Sequence, residues 1–293
     1  MNVQDGYLED KSDLQDIFSS APLLMRILLL IPVWLLACTP SAPEAPPPDY
    51  TGWTAYHGDK QGTHYSALDQ INRDNVHQLE VAWTYRTGDS EGREIQCNPL
   101  IVDTLLYLTT GGLKCVALHA ATGREVWRFD PFADVQMGGG NNRGLAYWTD
   151  GSQGRIFHAA AGRLFALDAL SGQPIEGFGD QGSISLHTGL GERAQDLWVV
   201  MTTPGVIFED LYIIGSRVAE GDNSAPGYIR AFDVRSGQLR WTFHTIPRPG
   251  EPGHETWPPQ AYETTGGANA WAGLVLDEAH GLVFAPTGSA APD

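Results

Sequence analysis

The chain has 293 residues, among them 34 glycines, 19 prolines and 9 tryptophans, with three cysteines and a formal charge of −17. That length can bury a large core, and the wealth of turn residues and large aromatics suits an all-β protein and excludes a disordered polypeptide. The acidic balance repels phosphates, which excludes nucleic acid as a partner, and three cysteines are too few for a disulfide framework.

Residues 1–24 carry Asp5, Glu9, Asp10, Asp13 and Asp16. These have the wrong sign for the start of an export signal, so the segment is expected to be untranslated or disordered. Met25-Arg26, the apolar run Ile27–Leu36 and Leu35-Leu36-Ala37-Cys38 resemble a bacterial lipoprotein signal over 25–38. An apolar run that short does not span a bilayer. The alternative is a buried apolar helix ending in an ordinary cysteine. On the signal reading Cys38 becomes the lipidated first residue, and the mature chain is exported and lipid-anchored on the periplasmic side of a bacterial membrane. The proline-rich stretch 39–50 is then a stiff tether. Cys97 and Cys115 fall on the first and third strands of one predicted sheet, about two strand spacings apart, and are expected to stay unbridged.

Residues 51–293 form the folded region. Trp53–Asn72 is rich in turn residues and lacks periodicity. Leu79–Gly88 alternates Val81, Trp83 and Tyr85 and reads as a lone half-buried strand. A short phrase then recurs with variations: ALHAATGREVW at Ala117–Trp127, ALDALSGQPIE at Ala166–Glu176 and AFDVRSGQLRW at Ala231–Trp241. Each copy reads as strand, tight turn and strand, with turn glycines Gly123, Gly172 and Gly237. Trp127 and Trp241 follow the first and third turns, where they hold neighbouring units together. Glu176 replaces the tryptophan in the second. Such recurrence marks an array.

The first complete unit spans 98–130, with four short strands and tight connections, which is one propeller blade. A second runs through GRIFHAAA and LFALDA to a weak strand ending near Glu176. A third comprises GVIF, DLYIIGS, GYIRAFD and LRWTF. A fourth begins with WAGLVLD and GLVFAPTG at Trp271–Gly288. The expected fold is all-β, a partial β-propeller of about three and a half four-stranded blades. On this count the chain reads as the N-terminal part of a larger protein, and its open edges offer surfaces for self-association. The long Gly- and Pro-rich segments at 131–149, 177–203 and 246–269 are where chemistry is expected.

Three stretches make the array specific. They are YSALDQIN at Tyr65–Asn72 with WTYRTG at Trp83–Gly88, NRGLAYW at Asn142–Trp148, and PTGSAAPD at Pro286–Asp293. With the turn-glycine repeats they resemble the pyrroloquinoline quinone (PQQ)-dependent dehydrogenases, closest to the membrane-bound glucose dehydrogenase branch. The likeness covers Trp53–Asp293. It implies an eight-bladed propeller holding PQQ beside a divalent cation, calcium or magnesium. The implied reaction is oxidation of a sugar or alcohol hydroxyl, with electrons passed to a membrane quinone or a cytochrome.

The resemblance carries site residues by motif. PQQ has three carboxylates and an ortho-quinone, so it calls for cationic and hydroxyl donors, a flat apolar partner and a cation. Arg143 matches the arginine that reaches the quinone oxygens. Thr202 and Thr203 match the segment giving a hydroxyl to a carboxylate, and Ser216 and Glu220 match the turn giving cofactor contacts and a cation-binding carboxylate. Asn269 and Trp271, in ANAWA, match the cofactor-binding segment whose tryptophan lies under the rings.

Gln96 stands where many relatives have glutamate, as a cofactor contact. Ser289 stands where they have a cation-binding asparagine, and is a poorer metal ligand. The family's general-base aspartate is expected after Asp293, so the chain is expected to be inactive alone. A lipobox and a propeller also suit a non-enzymatic scaffold lipoprotein of the outer-membrane assembly type. Arg143, Glu220 and Trp271 together argue for the dehydrogenase.

Overall fold

The computed structural model describes residues 50–89, 93–133 and 140–291. The signal at 25–38, Cys38 and the tether up to residue 49 lie outside the described residues. Three four-stranded antiparallel sheets follow one another along the chain, as the repeat predicts. The first contains β1 (Leu100–Val102), β2 (Leu105–Thr109), β3 (Cys115–His119) and β4 (Glu125–Phe129) in sequential order. The second contains β5 (Ala146–Thr149), β6 (Gly154–Ala160), β7 (Arg163–Asp168) and β8 (Ser183–Ser185).

Between the second and third sheets lies β9 (Val199–Val200). The third sheet starts with β10 (Val206–Phe208) and β11 (Leu211–Ile214). After β12 (Arg217–Val218), which pairs with β9, it is completed by β13 (Ile229–Asp233) and β14 (Leu239–Phe243). A short helix, α1 (Ala261–Thr264), leads to β15 (Gly266–Gly267). The hairpin β16 (Val275–Asp277) and β17 (Leu282–Phe284) is the start of a fourth unit, and β18 (Ala290–Ala291) returns to pair with β15.

The period of two in each strand serves both neighbouring sheets. Ile156 and Leu167 face a core shared with Leu100, Tyr107, Cys115 and Trp127 of the first sheet. Their neighbours Phe157 and Leu164 face the opposite core, with Tyr212, Ile214 and Phe232 of the third. Ile213, Ile229 and Ala231 in turn meet Leu274 and Leu276 of the fourth unit. Four successive β units with three apolar interfaces make a propeller segment, in which the second and third sheets are stabilised by burying both faces.

The repeated phrase has the same geometry each time. The amides of Gly123, Gly172 and Gly237 donate to the carbonyls of His119, Asp168 and Asp233 at 2.8–2.9 Å. In the first and third sheets the ladder shifts register at the same place, after Ala117 and after Ala231. Trp127 packs against the Gly172 turn of the next blade. In the second sheet, where Glu176 replaces the tryptophan, Ile184 and Phe178 cover Gly237 instead.

Several element expectations are corrected. Leu79–Gly88 forms no ladder. Side chains hold it to the first sheet: Trp83 Nε1 donates to the Ala120 carbonyl at 3.0 Å, and Arg128 donates to the Thr87 carbonyl at 3.2 Å and to the Tyr85 hydroxyl at 2.6 Å. Its apolar alternation therefore reflects ring docking; Val81, two residues before the first of the two aromatics, is 83% exposed. The fourth strand of the second blade is β8, since Pro174 makes only an isolated bridge with Leu167. The strand β5 occupies part of the segment expected to be loop. Cys115 opens β3 and Cys97 precedes β1; both thiols are free, and Cys97 Sγ accepts the Thr109 N–H at 3.2 Å.

Candidate functional site

The segment before β5 is pinned from several sides. The Asn98 amide donates to the Arg143 carbonyl, and the Arg143 amide donates to the Thr202 carbonyl, both at 2.8 Å. Buried Asn142 donates through Nδ2 to the Ala159 carbonyl at 3.0 Å and accepts the Gly144 amide at 2.9 Å. With its backbone fixed in this way, Arg143 projects into a cavity of about 430 Å³.

That cavity brings together residues from four separate stretches. Arg143, Arg217, Glu220, Asn269, Trp271 and Ser289 all line it. The strand pair β15–β18 places the last three: Ala268 N–H donates to the Ser289 carbonyl at 2.7 Å, and Gly288 N–H donates to the Asn269 carbonyl at 3.1 Å. Asn269 is buried, and its Nδ2 donates to the Ser216 carbonyl at 2.9 Å. Its amide oxygen is thereby left free to accept. Trp271 is 46% exposed although it lies beside a core, so its ring is offered to the cavity rather than spent on blade packing.

The Arg143 guanidinium lies 5.6 Å from the Trp271 ring centroid. It donates to Thr203 Oγ1 at 3.4 Å, and that hydroxyl donates in turn to the Trp271 carbonyl at 2.8 Å. The three residues form one connected unit. Tyr56 stands nearby: burial raises its phenol pKa, and the Arg143 charge opposes the rise. Glu220 is exposed, and among the described residues it is the one carboxylate side chain lining this cavity.

The other sequence-assigned residues lie around this space. Ser216 is buried behind it, and Thr202 faces a second cavity of about 370 Å³. Both hydroxyls, Thr202 Oγ1 and Ser216 Oγ, are buried without a hydrogen-bond partner, a state that costs about 1–3 kcal/mol each unless a bound group satisfies it. Gln96 is half-buried, two residues before Asn98, and does not line either cavity. Arg217, which lines both cavities, escaped sequence reasoning. Its signal was available: a cation directly after Ser216 and three residues before Glu220.

The donor set fits PQQ. Arg143 offers a permanent charge with two parallel donors, Trp271 offers a flat apolar face, and the orphaned hydroxyls are donors in reserve. For a divalent cation the cavity offers oxygens from Glu220, Ser289 and Asn269. Among the described residues no cluster of three or more His, Cys, Asp or Glu side chains could hold a metal ion. A cation at this place would meet one charged oxygen donor, Glu220, and neutral oxygens from Asn269 and Ser289.

Comparison with known proteins agrees with this geometry. Residues 53–293 match the family described as PQQ glucose/ethanol/alcohol dehydrogenase, beta-propeller domain. The chain is 32% identical over 285 residues to the quinate/shikimate dehydrogenase (quinone) of Acinetobacter baylyi, covering 87% of this chain and 35% of that protein. It is 31% identical over 283 residues to the quinoprotein glucose dehydrogenase of Escherichia coli, covering 87% and 34%. The crystal structure of the quinohemoprotein alcohol dehydrogenase from Comamonas testosteroni superposes with a TM-score of 0.67 at 28% identity, covering 84% of this chain and 36% of that one. The chain thus spans about a third of the length of the curated relatives it matches. With the blade array, the cavity and the match over 53–293 in agreement, the chain belongs to the PQQ-dependent glucose/ethanol/alcohol dehydrogenase β-propeller family.

Proposed function

We propose that this chain is the N-terminal, cofactor-binding part of an exported PQQ-dependent dehydrogenase. Its reaction is oxidation of a sugar or alcohol hydroxyl, with electrons passed to a membrane quinone or a cytochrome. The observation that carries this reading is the convergence of Arg143, Glu220, Asn269, Trp271 and Ser289 on one cavity from stretches far apart in sequence.

When bound, PQQ supplies an ortho-quinone that takes two electrons from the substrate's hydroxyl-bearing carbon. The chain's own residues bind and orient. Arg143 would anchor oxygens of the cofactor and is held in place by Thr203, so its charge is aimed before the ligand arrives. Trp271 would give the ring system a flat support. Thr202 and Ser216, whose hydroxyls are otherwise unpaired, would donate to carboxylate oxygens. Glu220, with the Asn269 and Ser289 oxygens, would hold the cation, calcium or magnesium.

Proton transfer from a substrate hydroxyl needs a base within hydrogen-bond reach. Glu220 is assigned to the cation, and among the described residues no second carboxylate lines the cavity. The 293-residue chain is therefore expected to bind PQQ without turnover. The experiment adds PQQ with calcium or magnesium to the purified chain. It follows tryptophan fluorescence for binding, and dye reduction with glucose and ethanol for turnover. Saturable quenching without dye reduction is the expected result; absence of PQQ binding overturns the reading.

Export is part of the proposal. The signal over 25–38 and Cys38 anchor the chain by lipid to a membrane on its periplasmic side. Labelled palmitate incorporated by the parent chain and lost in Cys38→Ala is the expected result, and equal labelling of both overturns the anchor.

A further inference from the structure

Two arginines line the candidate cofactor cavity, and the roles above use one of them. Arg217 is half-buried on β12, where it pairs with Val200 of β9. It stands in the wall shared by the 430 Å³ cavity and the second one of about 370 Å³. Its guanidinium lies 5.7 Å from the Trp198 ring centroid. Among the described residues no aspartate or glutamate forms an ion pair with it, as is also true of Arg143, whereas Arg128, Arg163, Arg235 and Arg240 have carboxylate partners. Glu220 lines the same first cavity and does not pair with it.

One further donor lines the second cavity with Arg217: Thr202, only 5% exposed, whose hydroxyl is buried and unpartnered. A carboxylate satisfies a forked cation and a hydroxyl donor together, because it is acceptor-only and has about four lone-pair sites. Neutral polyols lack the charge, and a metal ion is repelled by it.

We infer that Arg217 is a carboxylate receptor at the junction of the two cavities. This rests on the first cavity being the PQQ site. Two sources present the group: a carboxylate of PQQ itself, or that of a hydroxy-acid substrate seated in the second cavity. There Leu113, Phe132, Leu186 and Met201 give apolar walls for the substrate's carbon frame.

The test titrates PQQ into the 293-residue chain, Arg217→Gln and Arg217→Lys. Tryptophan fluorescence reports binding, and far-ultraviolet dichroism checks the fold. Gluconate and its uncharged counterpart glucose are then titrated into each PQQ-saturated protein. If the cofactor is the source, Arg217→Gln weakens PQQ binding about tenfold to a hundredfold, the worth of a charge-assisted hydrogen bond. Added salt narrows the difference, and Arg217→Lys recovers part of it.

If a substrate is the source, PQQ affinity is unchanged. Gluconate then binds the parent more tightly than glucose does, and Arg217→Gln removes that preference. Equal PQQ affinity in Arg217→Gln, with gluconate binding absent from the parent or unchanged by the substitution, overturns the inference. A parent chain that fails to bind PQQ overturns both this inference and the reading it rests on.

Discussion

The indole Nε1 of Trp127 donates to the Ala169 carbonyl at 2.9 Å while its ring covers Gly172. The relationship ties the outer strand of one blade to the hairpin turn of the next. Trp83 repeats it one blade earlier, donating to the Ala120 carbonyl and covering Gly123. In both turns the glycine has positive φ, 67° at Gly123 and 71° at Gly172. At these two places a tryptophan is fitted to a bare, left-handed backbone position, whereas Ile184 and Phe178 cover Gly237 at the next.

Gly172→Ala tests that fit. A Cβ there sits 2.5 Å from Trp127 ring carbons, so the indole must move. Left-handed backbone and overpacking add up to a loss of about 3 kcal/mol. Denaturant unfolding should show this as a lower midpoint. Trp127→Ala removes a buried ring and should cost about 3–5 kcal/mol. Pairing the two substitutions should cost less than their sum, because the alanine methyl has nothing to strike once the ring is gone.

Trp83→Ala asks what fastens the segment 79–88. With no ladder, its attachment depends on Trp83, Tyr85 and the Arg128 contacts. Truncating Trp83 should release the segment while the three sheets persist. Limited proteolysis should then cut near residues 79–88 at least tenfold faster, with little change in the global unfolding midpoint. Unchanged cleavage would show that the aromatic is not the fastener.

His158 gives a pH signature. It is fully buried; Nε2 donates to the Leu113 carbonyl at 2.8 Å, and Nδ1 has no partner. Burial pulls its pKa down to about 4. The folded protein keeps this ring neutral where the unfolded chain protonates it, near 6.5. Its contribution is complete above that value and is lost as pH falls from about 6.5 towards 4. The linked loss is about 3 kcal/mol. His158→Gln should flatten the stability profile in this window, measured as denaturant midpoints between pH 7 and pH 4.5.

The blades were legible because hairpin turns and two-residue alternation are local signals. The phrase around Gly123, Gly172 and Gly237 marks three turns of identical hydrogen bonding. What misled was alternation without a partner: Val81, Trp83 and Tyr85 follow a strand's rhythm, but the two aromatics dock individually. The strand β5 hid inside NRGLAYW, since Ala146–Thr149 follows directly on the pinned Arg143 segment. At the site, motif likeness named Arg143, Asn269, Trp271 and Ser289, which converge. It could not separate Thr202 from Thr203. Adjacent side chains point opposite ways, so one joins Arg143 and Trp271 while the other faces the second cavity. Arg217 lies in a strand pair only two residues long, too short for any periodicity to flag.

Ser289→Asn addresses the cation. Ser289 lines the first cavity with Glu220, and its carbonyl accepts the Ala268 amide, so the backbone at this position is already held. The resemblance places a cation-binding asparagine here. An amide oxygen reaches farther than a hydroxyl and carries more negative charge, so one stronger neutral ligand joins the Glu220 carboxylate. Calorimetric titration of calcium into the PQQ-saturated chain should show affinity rising about tenfold in Ser289→Asn. The gain should vanish in Ser289→Asn combined with Glu220→Gln, because one neutral oxygen cannot hold the ion without the carboxylate. Equal affinities in parent and Ser289→Asn would place the cation elsewhere in the cavity, away from the β15–β18 pair.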